Sequence, residues 1–235
     1  MSYKGKNVLA VVPARGGSKG IPRKNLELIN GVSLIGHAAK ICSELDWIDR
    51  SIISTDDYKM KNEGIKFGLE SPFLRPKNLA TDNASALDML IHATIESEKF
   101  YNETYDIIIL LEPSSPFRKA NHITKTITKL IDGNYDSVIT LSKTDSKGHP
   151  LKQLIFNKDR IVFYEHKAKN IISRQELSNT YHRNGVAYAM TRQCLIVEQS
   201  IISENSSAIV INHPMPNIDT MLDLKFAKYL MKDEQ

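Results

Sequence analysis

The chain has 235 residues, of which 41% are hydrophobic and 25% are charged, as is typical of a soluble globular protein that buries one sizeable core. No apolar run approaches the ~20 residues of a membrane span, and the N-terminus has no apolar signal-peptide core, so we expect a cytoplasmic protein without a membrane partner. The formal net charge is +4, and four cations lie within residues 15–24. Because this excess charge is local and no basic stripe with interleaved aromatic residues follows, we expect no nucleic-acid partner. Cys42 and Cys194 have no metal-like spacing, and we expect both to be reduced.

The first predicted element is a buried strand over the apolar residues 8–12, which ends at Pro13 in a loop rich in glycines and cations. Glycine lets backbone N–H groups approach oxygens closely, and Lys and Arg supply charge and directed donors, so this composition suits a bound polyphosphate. A Walker A loop needs Lys and then Ser or Thr after its last glycine, whereas Gly20 is followed by Ile21, and the loop has no Gly-x-Gly-x-x-Gly sequence. The loop therefore belongs to another class of phosphate site.

Residues 13–25 resemble, nearly residue for residue, the Pro-Ala-Arg-x-Gly-Ser-Lys-Gly-Ile-x-x-Lys-Asn signature of the CMP-sialic acid synthetases. These enzymes are sugar-activating cytidylyltransferases, in which a sugar's anomeric hydroxyl attacks the α-phosphorus of CTP to give a CMP-sugar and pyrophosphate. The resemblance implies that Arg15 and Lys24 are catalytic residues, which stabilise the charge of the phosphates. The nucleotide contacts that it implies in this loop are Ala14, Arg15, Gly16, Gly17, Ser18, Lys24 and Asn25.

The next residues predict a βαβ unit. Asn30 and Gly31 form a strong turn signal, and Ser33 suits the cap of a helix with an apolar face that extends to Leu45. Residues 51–54 predict the following strand. A right-handed crossover between two parallel strands places ligand loops at their carboxyl ends, where the glycine-rich loop lies. We therefore predict an α/β fold with a doubly wound, mostly parallel sheet, as in Rossmann-like nucleotidyltransferases.

After a helix over about residues 58–67, two prolines predict an extended segment before a long helix that starts near residue 85. The chain matches the synthetases' Arg-Pro…Leu-Ala-x-Asp-x-Ala-Ser segment here, and in that family the segment lies beside the nucleotide. The resemblance therefore implies nucleotide contacts for Arg75, Asp82 and Ser85. For Asp82 and Ser85, a role at the start of the helix remains equally open.

Residues 107–111 are the most apolar run and predict a central parallel strand. The synthetases continue with Gln-Pro-Thr-Ser-Pro, and their amide lies close to the sugar, whereas this chain has Glu112. An ionised carboxylate only accepts hydrogen bonds, so Glu112 favours a sugar with N–H or O–H groups at that point, or a cation. A carboxylate at the start of a helix is the alternative. The resemblance places Glu112, Ser114 and Ser115 among the sugar contacts.

After a helix that stops near Gly133 and a strand over residues 137–141, the chain predicts a β-rich arm at about residues 143–185, with two short strands near 153–156 and 160–164. In the synthetases the corresponding arm crosses to a second subunit and covers its sugar site. The resemblance therefore implies a homodimer, and it implies sugar contacts for Lys152, Arg174, Gln175, Asn184 and Tyr188. For Lys152 a plain surface position remains open.

The last predicted strands cover residues 186–190 and 208–211, and Thr220 suits the cap of a final helix. The synthetases carry Asp-Ile-Asp-Thr-x-x-Asp here, and the two leading aspartates resemble Mg²⁺ ligands. This chain retains Asp219, which the resemblance makes the third catalytic residue, and has Asn217 in place of the first aspartate. Asn still offers a carbonyl oxygen, so a magnesium site with one charge fewer is expected.

Taken together, the residues and the resemblance predict one cytidylyltransferase domain over residues 1–235. Its expected partners are CTP, Mg²⁺, an acidic nine-carbon sugar such as N-acetylneuraminate or a legionaminic-type acid, and a second copy of the chain. A CMP-Kdo-type cytidylyltransferase and a non-catalytic nucleotide-binding protein on the same fold are the alternatives. No general base is evident from the sequence.

Overall fold

The computed structural model describes residues 3–166, 168 and 177–233. None of the helices in these ranges is long and apolar enough to cross a membrane. The helices are α1 (Leu34–Ser43), α2 (Tyr58–Lys66), α3 (Ala86–Tyr101), α4 (Ala120–Asp132) and α5 (Met221–Asp233). The strands are β1 (Val8–Pro13), β2 (Leu28–Ile29), β3 (Val32–Ser33), β4 (Arg50–Ser54), β5 (Ile107–Leu110), β6 (Ser137–Lys143), β7 (Leu154–Asn157), β8 (Arg160–Phe163), β9 (Tyr181–Thr191) and β10 (Ser206–Ile211).

Six strands form one mixed sheet in the order β10-β6-β9-β5-β1-β4. Strand β1 pairs in parallel with β4 and β5, and β10 pairs in parallel with β6. Strand β9 runs antiparallel to both β5 and β6. The α/β fold with a mostly parallel sheet is therefore confirmed, with one antiparallel strand inserted at its centre.

The core occupies both faces of this sheet, which explains why β1 has no polar residue. Val8, Ala10 and Val12 pack with α1 and α4 on one face, whereas Leu9 and Val11 pack with α3 on the other. Side chains alternate between the faces of a strand, so a strand covered on both sides needs apolar residues throughout. Both cysteines are buried free thiols, as expected.

Strand β9 starts at Tyr181, five residues before the predicted start at Val186. The exposed residues 181–183 pair with the end of β6, but their side chains carry no apolar alternation that a sequence pattern could reveal. The pairing is irregular opposite Ile139 and Leu141, and Gly185 adopts φ +70° there. The resulting bulge bends β9 where it meets the loop after β5.

Among the described residues, strands β7 and β8 pair only with each other and form a hairpin outside the main sheet. All eight of its residues are exposed, although most are apolar. This hairpin lies at the position of the predicted arm.

Candidate active site

A cleft of about 350 Å³ lies at the carboxyl edge of the parallel strands β1, β4 and β5. Ligands of open α/β sheets bind at this edge because the loops that follow neighbouring strands converge there. The loop after β1, the segment before α3, the loop after β5 and the segment before α5 form its walls. The cleft brings together these predicted site residues: Arg15, Ser18, Lys24, Asn25, Arg75, Asp82, Ser85, Glu112, Ser114, Asn217 and Asp219.

The glycine-rich loop is fixed at both ends by backbone contacts. Ala14 N donates to Ser54 O at 3.0 Å, and Gly16 N donates to Asp56 Oδ1 at 2.9 Å, so its start is tied to the end of β4. At its other end, Gly20 lies so close to the carbonyl oxygen of Asp219 that the space admits no Cβ. This second contact places the loop against the segment that carries the predicted metal ligand.

Each of three loop cations is paired with a carboxylate. Arg15 Nη2 and Lys19 Nζ bind the two oxygens of Asp82 at 3.0 and 2.9 Å, and Lys24 Nζ donates to Asp219 Oδ1 at 2.7 Å. The hydrogen bond from Lys19, aided by Arg15, holds the pKa of Asp82 below its usual range. Phosphate oxygens are also strong acceptors of charge-assisted hydrogen bonds, so a polyphosphate can replace these carboxylates.

Arg75 is a buried cation at the wall of the cleft. Its Nε donates to Ser54 Oγ at 3.0 Å, and its Nη2 donates to the carbonyl oxygen of Ser54. Burial lowers the pKa of Arg75 to about 10, and the nearby Arg15 acts in the same direction, whereas Asp56 opposes it. The guanidinium is thus fixed at the end of β4, with its charge directed towards the cleft.

Asp219 and Asn217 present the oxygens that suit a magnesium ion. Asp223 accepts hydrogen bonds from the backbone N–H groups of Asp219 and Thr220 and so caps α5, which fixes the backbone of this segment. The Oδ1 atom of Asn217 is buried and has no hydrogen-bond partner among the described residues. Those residues contain no cluster of three or more His, Cys, Asp or Glu side chains that could hold a metal. Because Mg²⁺ keeps several waters and takes few protein ligands besides substrate phosphates, the pair fits an ion that binds together with a triphosphate.

Glu112 follows β5 and is held through its backbone. Its carbonyl oxygen accepts hydrogen bonds from Arg118 Nη2 and Ser115 N. Its carboxylate lies directly over Gly185, where a Cβ would come within 2.6 Å of Ser115 Oγ and closer still to Glu112 Oε2. Burial raises the pKa of the Glu112 carboxyl, while Arg118 and Lys24 partly offset this effect.

Comparison with known proteins decides the family. Residues 9–217 match the family model described as cytidylyltransferase. The chain belongs to this family. A pseudaminic acid cytidylyltransferase from Campylobacter jejuni is 31% identical to it over 226 residues, covering 95% of this chain and 96% of that relative. A CMP-N,N'-diacetyllegionaminic acid synthase from Legionella pneumophila is 28% identical, covering 97% of each.

Among solved structures, a CMP:2-keto-3-deoxy-manno-octonic acid synthetase complexed with CTP matches this cytidylyltransferase with a TM-score of 0.73 and 18% identity. The match covers 97% of this chain and all of that one. At this identity the likeness shows the fold alone. The resemblance to sugar-activating cytidylyltransferases is confirmed, and the protein is a nucleotidyltransferase.

Several predicted site residues of the cytidylyltransferase lie outside the cleft lining. Asn184 is buried, and its Oδ1 accepts hydrogen bonds from Thr140 Oγ1 at 2.6 Å and from Val186 N at 3.2 Å, so it supports the bulge of β9. Ser115 Oγ donates to the backbone of Asn184 at 2.7 Å, and Tyr188 lies in the core, where burial raises its pKa to about 12. The remaining predicted residues outside the lining are Ala14, Gly16 and Gly17 in the first loop and Lys152 before the hairpin, and Arg174 and Gln175 lie outside the described residues.

Two charged residues at this site escaped the sequence analysis. Arg118 is buried and donates to the backbone carbonyls of Glu112, Gly185 and Val186, so it joins the loop after β5 to β9. The Asp56 carboxylate accepts a hydrogen bond from the backbone N–H of Gly16. The sequence contains one indication that Asp56 lies at the site: it directly follows a predicted strand, and the carboxyl ends of parallel strands meet at one edge of the sheet.

Proposed function

We propose that this cytidylyltransferase transfers the CMP group of CTP to the anomeric hydroxyl of a nine-carbon 2-keto acid that carries two acetamido groups, and releases pyrophosphate. The observation that carries the proposal is the cleft itself, in which Arg15, Lys24 and Arg75 face Asp219 and Glu112 at one edge of the sheet. Such a reaction requires mainly alignment and neutralisation of charge, because the nucleophile belongs to the substrate.

In this proposal the loop cations bind the triphosphate. Arg15 and Lys24 exchange their present carboxylate partners for phosphate oxygens, and the amides near Ser18 donate to the same group. Asn25 is buried at the wall of the cleft, and Ser85 caps α3 by accepting from Leu87 N at 3.0 Å. Both sit where a nucleoside can lie between the first loop and α3.

Mg²⁺ is part of the proposal, with the Asp219 carboxylate and the unpaired Asn217 Oδ1 as its protein ligands. When bound, the ion would neutralise phosphate charge as a Lewis acid. Asn217 contributes an oxygen without charge, so most of the electrostatic attraction at this site comes from Asp219 and the phosphates.

The sugar class rests on the relatives. The relatives that this chain covers almost completely are named for pseudaminic acid and for N,N'-diacetyllegionaminic acid. Glu112 has no hydrogen bond to its carboxylate from the described residues, and an ionised carboxylate accepts from an O–H group of a bound sugar. Ser114 lies beside it in the cleft.

A homodimer is also part of the proposal. The hairpin exposes apolar side chains on both faces: Phe156 is 71% exposed on one face, and Val162 is 55% exposed on the other. Exposed apolar surface of this extent is characteristic of contact sites, and a second copy of the chain would cover it. Lys152, at the base of the hairpin, would then reach the sugar site of the neighbouring subunit.

The test is an assay of pyrophosphate release from CTP and Mg²⁺ with a panel of acids: the pseudaminic, diacetyllegionaminic and N-acetylneuraminic acids and Kdo. We expect the diacetamido acids to give the highest kcat/KM, and Lys24→Ala to lower it by at least about 100-fold, the effect of removing one charge-stabilising donor. Lys125→Ala, which removes an exposed lysine on α4, is the matched control. Turnover of UTP with a sugar 1-phosphate alone would refute the assignment, as would CTP binding without turnover of any acid.

A separate experiment tests the homodimer, because a monomeric chain can still have the proposed activity. Sedimentation should give the mass of two chains, and Phe156→Asp should give the mass of one. A wild-type mass of one chain at assay concentration would remove the dimer from the proposal.

A further inference from the structure

We propose that Glu112 is the general base that removes the proton from the anomeric hydroxyl as it attacks CTP. The inference rests on the proposed function and adds the residue that performs the proton transfer. It concerns this chain in particular, because the amide that the CMP-sialic acid synthetases carry at this position has no proton-accepting form near neutral pH.

The titratable groups that line the cleft differ in their ability to accept a proton. Arg15 and Arg75 are guanidiniums and have no acceptor, and Lys24 donates to Asp219 at 2.7 Å. Asp82 is bound by Arg15 and Lys19, which hold its pKa low and make it a weak base. Of the carboxylates lining the cleft in the described part of the chain, Glu112 alone has no ion pair or hydrogen bond to its side chain.

The position of Glu112 in the cleft also fits a base. Ser114 O accepts a hydrogen bond from Ile218 N at 2.9 Å, which holds the loop after β5 next to the segment with Asn217 and Asp219. In the proposed function, Glu112 therefore lies close to the segment that would bind Mg²⁺ and the triphosphate, next to Ser114, which is proposed to contact the sugar. A base must be within hydrogen-bond reach of the proton that it removes, and between these two groups the sugar hydroxyl would meet the α-phosphorus.

The Glu112 carboxylate packs against the bulge of β9. Gly185 has φ +70° and no side chain, and a Cβ there would collide with Glu112 Oε2 and Ser115 Oγ. Arg118 and Ser115 hold the backbone of Glu112 through its carbonyl oxygen. Glu112 is therefore supported from its backbone and its side chain at the wall of the cleft.

The surroundings also suit a base. Burial raises the pKa of Glu112 above the ordinary 4.5, and Asp219 acts in the same direction. Arg118 before α4, Lys24 from the first loop and Arg183 from β9 act in the opposite direction and partly offset this rise in the pKa. On β9, Tyr188 also faces the carboxylate, which contributes to the raised pKa of its phenol. A catalytic carboxylate with a raised pKa accepts a proton more readily at working pH.

In the proposed reaction, the oxygen of the anomeric hydroxyl forms a bond to the α-phosphorus while its proton passes to the Glu112 carboxylate. The bond between the α-phosphorus and the oxygen that bridges to the β-phosphate breaks, and pyrophosphate leaves with that oxygen and its electron pair. Protonated Glu112 then loses its proton to solvent.

The experiment compares wild type with Glu112→Gln, which keeps the shape of the side chain but accepts no proton. We expect kcat to fall about 100-fold or more, within the range for loss of a general base, while the KM for the acid and the Kd for CTP change little. The wild-type kcat should rise with pH through the raised pKa of Glu112 and then level off, and the variant should lack this rise. Glu204→Gln, an exposed carboxylate before β10, is the matched control.

A second variant keeps the proposal testable if the first does not fold. In Glu112→Ala, added formate should restore kcat in proportion to its concentration, because a small carboxylate can occupy the space and accept the proton. A normal kcat with a raised KM for the acid would overturn the inference in favour of sugar recognition. A normal kcat with a raised Mg²⁺ requirement would overturn it in favour of a cation ligand. If wild type turns over no acid, the proposed function fails and this inference with it.

Discussion

Substitution of Gly20 tests whether the contact between the first loop and Asp219 sets the geometry of the site. A Cβ on Gly20 would lie 2.2 Å from the carbonyl oxygen of Asp219, well inside the 3.0 Å that real Cβ atoms keep from other heavy atoms. The loop and the Asp219 segment must therefore move apart by about 0.8 Å in Gly20→Ala. A misplacement of ~1 Å at a reacting centre costs about 100-fold in rate, and overpacking of this kind costs roughly 1–3 kcal/mol of stability.

The assay is kcat for pyrophosphate release, measured together with urea unfolding of the same samples. We expect Gly20→Ala to lose about 100-fold in kcat while it remains folded at the assay temperature. Gly5→Ala is the control, because Gly5 has φ +76° and its methyl would meet no atom within 4 Å. It should lose roughly 1–2 kcal/mol of stability through backbone strain but keep its activity. Wild-type kcat in Gly20→Ala would refute the reasoning that this contact positions Asp219.

Two further predictions concern charges. Asp82→Asn should tighten CTP binding several-fold by calorimetry, because Arg15 and Lys19 then reach the phosphates without first releasing a carboxylate; weaker binding would contradict this exchange. Burial, aided by His213, lowers the pKa of His122 to about 4. Between about pH 4 and 6.5 the unfolded chain therefore binds more protons at His122 than the folded chain does. The free energy of unfolding rises with pH across that window. His122→Gln keeps an acceptor for Lys119 N and should flatten this rise in urea midpoints; an unchanged slope would show that His122 does not cause it.

The parts of the fold that sequence predicted are those governed by local pattern. The apolar residues of β1 and the turn chemistry of residues 13–25 depend on neighbours in the chain, so strand and loop were predictable together. The caps at Ser33 and Thr220 are local in the same way, and both form as expected. The start of β9 was not predictable, because Tyr181 and its neighbours join the sheet through backbone pairing and their exposed side chains show no apolar pattern.

The supporting residues of the site were hidden because their partners are distant in sequence. Arg118 follows a proline-rich turn and resembles an exposed residue at the start of a helix, yet its guanidinium binds carbonyl groups 67 and 68 positions away. Asn184 was expected to contact sugar, whereas its amide supports the backbone of the bulge on which Glu112 rests. Spacing along a strand cannot distinguish these roles, because a bulge changes which face the following side chains occupy.

The pairing of Lys24 with Asp219 links nucleotide binding to metal binding in the proposed function. Lys24 Nζ donates a hydrogen bond to Asp219 Oδ1 at 2.7 Å, whereas Asn217 Oδ1 has no hydrogen-bond partner among the described residues. A cation bound at Asp219 would repel Lys24 at this distance, so both cannot use the carboxylate as the chain stands. Phosphates that draw Lys24 away remove this repulsion and supply the remaining ligands. We therefore expect CTP to bind far more tightly in the presence of Mg²⁺ than in its absence, and Mg²⁺ to bind weakly without CTP. Equal affinity for Mg²⁺ with and without the nucleotide would contradict this coupling.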